Sequence, residues 1–198
     1  MTRGAEGPSS VARAVAIFVL SGLGVVVIFA GGSLLVLPQL GQTEAIRDAR
    51  EVSRIAGQGI VEPSLDDGLL RGDKAAFERL DRVIQERVLG ERIIRVKLWT
   101  REGRVVYSDE PRLIGSVYTL GPNERKALES GATRVEVSDL NGPENRFEQG
   151  QGRLYEVYLP IRTPGGTPLL FETYQRASSL GSVRRRIWLP FAVLLLAS

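Results

Sequence analysis

Two glutamates, Glu156 and Glu172, come closest to a pairing that could do chemistry. They sit in "RLYEVYLPIR" and "TPLLFETYQR", two apolar-rich runs joined by "TPGG". Strand alternation sets Tyr155, Val157, Leu159 and Ile161 on one face of the first run, and Leu154, Glu156, Tyr158 and Arg162 on the other. In the second run Leu169 and Phe171 oppose Leu170, Glu172, Tyr174 and Arg176. One face is then an apolar core face. The other carries two carboxylates, two tyrosines and two arginines. Carboxylates on adjacent strands can serve as general acid and base when their surroundings push their ionisation apart, as in a hydrolase. The same pattern is also common on surfaces, where cross-strand Glu and Arg neighbours are solvated or covered by loops.

Composition narrows the chemistry. The 198 residues contain no histidine and no cysteine. Nucleophile systems that depend on a histidine base are excluded, as are disulfides, thiolate metal sites and a phospho-accepting histidine. No catalytic residue, metal or cofactor is expected. The formal net charge of +3 invites a nucleic-acid reading until the charges are placed. Between residues 38 and 183 there are 21 basic and 22 acidic side chains, and the excess arginines flank the apolar ends. No basic stripe with interleaved aromatics remains, so no nucleic-acid partner is expected.

Those ends look like membrane sequence. Residues 14–37, "AVAIFVLSGLGVVVIFAGGSLLVL", run 24 positions without a charge, about 36 Å of helix against a hydrocarbon core of about 30 Å. A cleaved signal peptide is the competing explanation, with Arg3 and Arg13 as its charged region. The run is far longer than a signal peptide's apolar segment, which favours a retained anchor in membrane lipid. At the other end "RRRIWLPFAVLLLAS" opens a second apolar run at Ile187 with Trp188 at its edge. Its 12 residues cannot span a bilayer, so it is taken as the start of a second, incomplete span. Counting arginines leaves orientation undecided.

Between the runs, Pro38 is expected to end the first span. In "QTEAIRDAREVSRIAGQGI", Ala45, Ala49, Val52, Ala56 and Ile60 recur at helical spacing, either covering the domain's own core or forming a two-fold dimer seam. Asp73 caps a second helix, "KAAFERLDRVIQERVL", with Phe77, Leu80, Val83, Ile84 and Val88 on one face and Gly90 closing it. A hairpin follows, "RVKLWTREGRVVY", with Ile94, Val96 and Leu98 on one face and Arg95, Lys97 and Trp99 on the other. Then come a short helix in "GPNERKALESG", the strand "TRVEVSDL", a polar loop, and the hairpin carrying the two glutamates. The sum is an α+β domain with an antiparallel sheet of about five strands flanked by helices.

This order, with "SDEPRLIG" after the first hairpin and "PIRTPGG" in the last, resembles the extracytoplasmic Cache/PAS-like sensor region of bacterial membrane sensor histidine kinases of the actinobacterial type. The resemblance implies a cytoplasmic tail (1–13), a transmembrane helix (14–37), a sensor domain outside the cell membrane (38–186) and the start of a second span (187–198). It implies a sensory input module of a two-component system, a homodimer, that passes a ligand- or stress-induced shift through its spans. A kinase module and a response regulator would belong to the longer parent. By analogy with where such domains bind small molecules, Trp99, Tyr107, Arg112, Tyr158, Arg162 and Tyr174 are the pocket candidates, and the arginines would suit a carboxylate or phosphate. Chemoreceptors and cyclases carry similar input domains, and a non-signalling anchor or partner-binding domain is the remaining alternative.

Overall fold

The computed structural model describes residues 10–176, with the backbone alone at residues 10, 11, 27 and 29–41. The last residues of the expected sensor domain and the expected second span (187–198) lie outside the described residues, as do residues 1–9. Helix α1 (Ser10–Ala56) passes through Pro38 without a break. Proline's fixed φ is helical, so it removes one backbone hydrogen bond without forcing an end. The chain divides into two compact units at Thr43 and Glu44.

In the first unit, large apolar side chains from Val15 to Ile28 are exposed, Phe18 at 78%. Among the described residues no helix is long and apolar enough to cross a membrane. The side chains of residues 29–37, which complete the apolar run, are not among those described.

The second unit is an α+β domain in three layers. Its sheet comprises β1 (Ile93–Trp99), β2 (Val105–Ser108), β3 (Arg134–Ser138), β4 (Leu154–Arg162) and β5 (Pro168–Arg176). The spatial order is β2-β1-β5-β4-β3, with every neighbouring pair antiparallel. One face is covered by the end of α1, the turns after it, and α2 (Lys74–Arg87). The other is covered by α3 (Pro122–Ser130) and the loops around it.

The α1 and α2 side is a conventional apolar core. Ala56, Leu80 and Ile84 pack on Leu98, Leu159 and Phe171, all nearly fully buried. Ala49 lies against Tyr155 and Val157. The helical stripe of "QTEAIRDAREVSRIAGQGI" thus covers the domain's own sheet. Its outer side carries the exposed ion pairs Arg47–Glu44 and Arg54–Glu51. Asp73 caps α2 by accepting from Ala75 N and Ala76 N. Gly90, expected to close that helix, instead lies past its last residue, Arg87, where its N–H donates to Ile93 O and turns the chain into β1.

The register of β1 slips between Ile93 and Arg95. A bulge adds a residue on one strand, so consecutive side chains change face. Ile93 enters the apolar core and Ile94 packs with Leu154 and Tyr174 on the opposite side. This corrects the expected grouping of Ile94 with Val96 and Leu98. At the first hairpin Gly103 has φ +80, and a Cβ there would stand 1.9 Å from Tyr118 O, so only glycine fits.

Where α1 gives way to a π-helical turn, Gly57 lies directly on the sheet. A Cβ at Gly57 would be 2.4 Å from Leu159 Cδ2 and 2.8 Å from Phe171 Cδ1. Overpacking a closed core costs about 1–3 kcal/mol. Gly57→Val should therefore lower the urea midpoint by that equivalent with an unchanged slope; an unchanged midpoint would show that α1 is not pressed on the sheet here.

Candidate functional site

The second face of the sheet carries the ionisable groups, and they are buried. Lys97 is 0% exposed, Glu172 2% and Glu156 4%, alongside Trp99, Tyr158 and Tyr174. Strand alternation aims these side chains to one side. The loop after β3, through the 3-10 turn Pro143–Asn145 to Gly152, then closes over them together with α3. Burying charge without partners is costly, so each group must be paired.

The pairing is a continuous network. Lys97 Nζ donates to Glu144 O at 2.8 Å, Asn145 Oδ1 at 3.2 Å and Tyr174 OH at 2.8 Å, using all three of its donors. It lies 4.3 Å from the centroid of the Tyr174 ring. Trp99 Nε1 donates to Glu172 Oε2 at 2.6 Å. Asn145 Nδ2 donates to Glu156 Oε1 at 3.0 Å. Arg95 bridges Asp109 at 2.7 Å and Glu148 at 2.5 Å, and Asp109 also accepts from Val96 N.

Counting hydrogens shows what this network holds. Tyr158 OH is 2.6 Å from Glu136 Oε1 and also bonds Glu156 Oε2. Tyr174 OH is 2.7 Å from Glu172 Oε1 and 2.5 Å from Asn145 Oδ1. A phenol has one hydrogen, and an amide oxygen has none. Each tyrosine can serve both contacts only if a neighbouring carboxyl group donates. The buried carboxyls Glu172 and Glu156, both pushed up by burial, are the donors this geometry calls for beside Tyr174 and Tyr158.

Electrostatics agree with the count. Burial pushes Glu172 up to about 8, with the Glu156 charge adding to it and Lys97 opposing. Burial likewise raises Glu156. Burial holds both phenols neutral, pushing Tyr158 and Tyr174 well above their ordinary range. Asp109 is raised by burial in spite of Arg95. Burial thus favours the protonated form of Glu156 and Glu172, both of which are enclosed by protein side chains.

Of the six residues named as pocket candidates, Trp99, Tyr158 and Tyr174 converge here. The other three do not. Tyr107 pairs with Leu98 across the hairpin and so faces the α1 and α2 side, where its hydroxyl donates to Asp81 and its ring meets Phe77. Arg112 is exposed and forked onto Glu110 at 2.6 and 2.8 Å, which holds that carboxyl down to about 2. Arg162 donates to Gly166 O at the exposed end of the last hairpin. Of the two arginines expected to grip a carboxylate or phosphate, Arg162 lies at the hairpin end and Arg112 stacks on the outside of the layer, 3.9 Å from the Phe147 ring centroid, with its fork spent on Glu110.

Arg95, Lys97, Asp109, Glu136, Asn145 and Glu148 are network members that were not named as pocket candidates. Lys97 was legible as facing the same side as Trp99, while Asn145 and Glu148 lie in a polar loop without periodicity. A surface cavity of about 360 Å³ lies beside the first hairpin and is lined by Arg101, Tyr118 and Arg125 among others, none of them a pocket candidate.

The stored proton gives a signed pH dependence. An unfolded Glu172 loses its proton near 4.5, and the native one keeps it until about 8. Within that window the native state binds more protons, so stability falls as pH rises from about 4.5 to about 8, then levels off. Glu110, held low, acts in the opposite direction and only below 4.5. Glu172→Gln should flatten the decline by up to about 1.4 kcal/mol per pH unit, measured by urea unfolding between pH 5 and 8. An unaltered slope would mean that Glu172 is ionised in the native state.

No family model matches the chain, and no curated protein matches it. Among solved structures it is similar to the E. coli DcuS sensor domain, with a TM-score of 0.43 and 16% identity over 75% of this chain and 98% of that one.

Proposed function

We propose that the chain is a membrane-anchored sensory input module with a PAS/Cache-like domain, which converts a change in its enclosed polar layer into a shift of its terminal elements. The carrying observation is the double role of β5. On one face of this strand Glu172 and Tyr174 belong to the polar network. On the other face Thr173 and Gln175 are bolted to α1. Ser53 Oγ and Thr173 Oγ1 are 2.6 Å apart, and Gln175 Nε2 donates to Ala49 O at 2.8 Å and Ser53 Oγ at 2.7 Å. All three side chains are buried. A rearrangement that moves β5 must drag α1 or break these bonds.

In this proposal the apolar run 14–37 anchors the chain in the cell membrane, a role supported by the exposed apolar side chains between Val15 and Ile28. The domain stands outside the cytoplasm, pairs with a second copy, and passes its shift through the spans to a kinase module in a longer parent protein that acts on a response regulator. The chain itself performs no catalysis. A ligand can bias such a switch only by its differential affinity for two states.

Two experiments test this. Because the chain has no cysteine, Arg101→Cys at the exposed hairpin tip provides a single reporter. A membrane-impermeant maleimide should label it in intact spheroplasts; labelling only after lysis would place the domain in the cytoplasm. In the full-length protein, Gln175→Leu should leave ligand-induced thermal stabilisation in place while reducing the output response several-fold. Unchanged output would remove the α1–β5 link from the signalling path.

A further inference from the structure

Strand β3 is an edge of the sheet, paired on one side only, with β4. Its register sets Glu136 directly opposite Glu156, a placement in which two like charges push the strands apart. A single phenol joins them. Tyr158 OH lies 2.6 Å from Glu136 Oε1 and also bonds Glu156 Oε2. The phenol's one hydrogen serves one carboxyl, so the other contact needs a proton on the second. Glu156 is 4% exposed, and burial favours that proton there. Its other oxygen accepts from Asn145 Nδ2, while Glu136 Oε2 accepts from Asn123 Nδ2 at the start of α3.

The surroundings are mostly acidic. Glu124 of α3 feels the charges of both Glu136 and Glu144, the latter from the covering loop. Glu172 on β5 repels Glu156, and Lys97 on β1 attracts it. The Lys97 donors are already given to Glu144 O, Asn145 and Tyr174. On β3 itself Arg134 is exposed, and on α3 Arg125 donates to Leu120 O. Loss of the shared proton leaves two opposed carboxylates with one phenol hydrogen between them. On the other face of β3, Val135 and Val137 join Ala45, Ile46 and Ala49 of α1 in one apolar cluster with Tyr155 and Val157. The edge strand thus carries the proton bridge on one face and a grip on α1 on the other.

We propose that the Glu136–Tyr158–Glu156 bridge is a proton-operated latch, which holds β3 in the sheet while one proton is shared across it and releases the strand, with its grip on α1, when that proton leaves. In the opened strand both carboxyls meet water and ionise in the ordinary range, near 4.5. The closed form therefore binds more protons above that range, and opening grows as pH rises. The latch belongs to the domain alone. Only its use as a signal rests on the proposed sensory role, in which the proton concentration around the domain becomes a stimulus.

The test is amide hydrogen exchange, read by mass spectrometry on the purified 198-residue chain in detergent between about pH 5 and 8, with labelling times scaled to the intrinsic exchange rate. Protection of β3 should fall relative to β1 and β5 by up to about tenfold per pH unit, the effect of one linked proton. Glu156→Gln, whose amide can donate to Tyr158 and cannot ionise, should remove this dependence while keeping β3 protected. Glu136→Gln, at a half-buried edge position, should also remove it and carries the test if Glu156→Gln does not fold. Constant protection of β3 relative to β1 and β5, or an undiminished dependence in Glu136→Gln, would overturn the latch. Release in the purified chain with unchanged output from the full-length protein over the same range would uphold the latch and overturn its use as a signal.

Discussion

The placement of Lys97 is the constraint on which the outer layer depends. A lysine in the middle of a central strand, shut off from water, is tolerable only when its donors are satisfied. Its three partners come from the loop after β3 and from β5, 47 to 77 residues away along the chain. That requirement holds the turn Pro143–Asn145 against the sheet. With the turn in place, Asn145 reaches Glu156, and Glu148 reaches Arg95. The loop owes its conformation less to its own composition than to the ammonium it covers.

The two faces of the sheet are consequently specified by different physics. On the α1 and α2 side, close packing of aliphatic and aromatic side chains decides, and the tightest point is Gly57 against Leu159 and Phe171. On the other side, hydrogen-bond direction decides. The network spans from Asp109 beyond β2, through Arg95, Lys97 and Trp99 on β1 and Glu172 and Tyr174 on β5, to Glu156 and Tyr158 on β4 and Glu136 on β3. Groups that share protons this closely titrate as a set. The proton content of the layer is a property of the whole face, and half-satisfied members would destabilise their neighbours.

How much of this was legible in the sequence follows from the same division. Period-two alternation in β4 and β5 separated Leu159, Ile161 and Phe171 from Glu156, Tyr158 and Glu172, because burial on one face leaves a local imprint. The helical stripe from Ala45 to Ile60 and the Asp73 cap were legible for the same reason. Ile94 was misplaced because a bulge is a pairing feature, absent from the strand's own pattern. Tyr107 was misassigned because its face depends on which residue of β1 lies opposite. Asn145 and Glu148 left no periodic trace, since their positions are set by Lys97 and Arg95 through contacts between distant segments. Arg112 and Arg162 had the right chemistry for an anion and the wrong place for it.

Electrostatics then sort what each part of the outer layer can accommodate. Its interior sets Glu136, Glu148, Glu156, Glu172 and Asp109 against Lys97 and Arg95. Some of those carboxyl groups must carry protons for the hydroxyl contacts to be made, which trims the excess negative charge without removing it. A carboxylate ligand forced into that interior would add repulsion and displace existing acceptors. An added cation would compete with Lys97 for oxygens already in use. The closed centre therefore sets the proton balance and the shape of the layer.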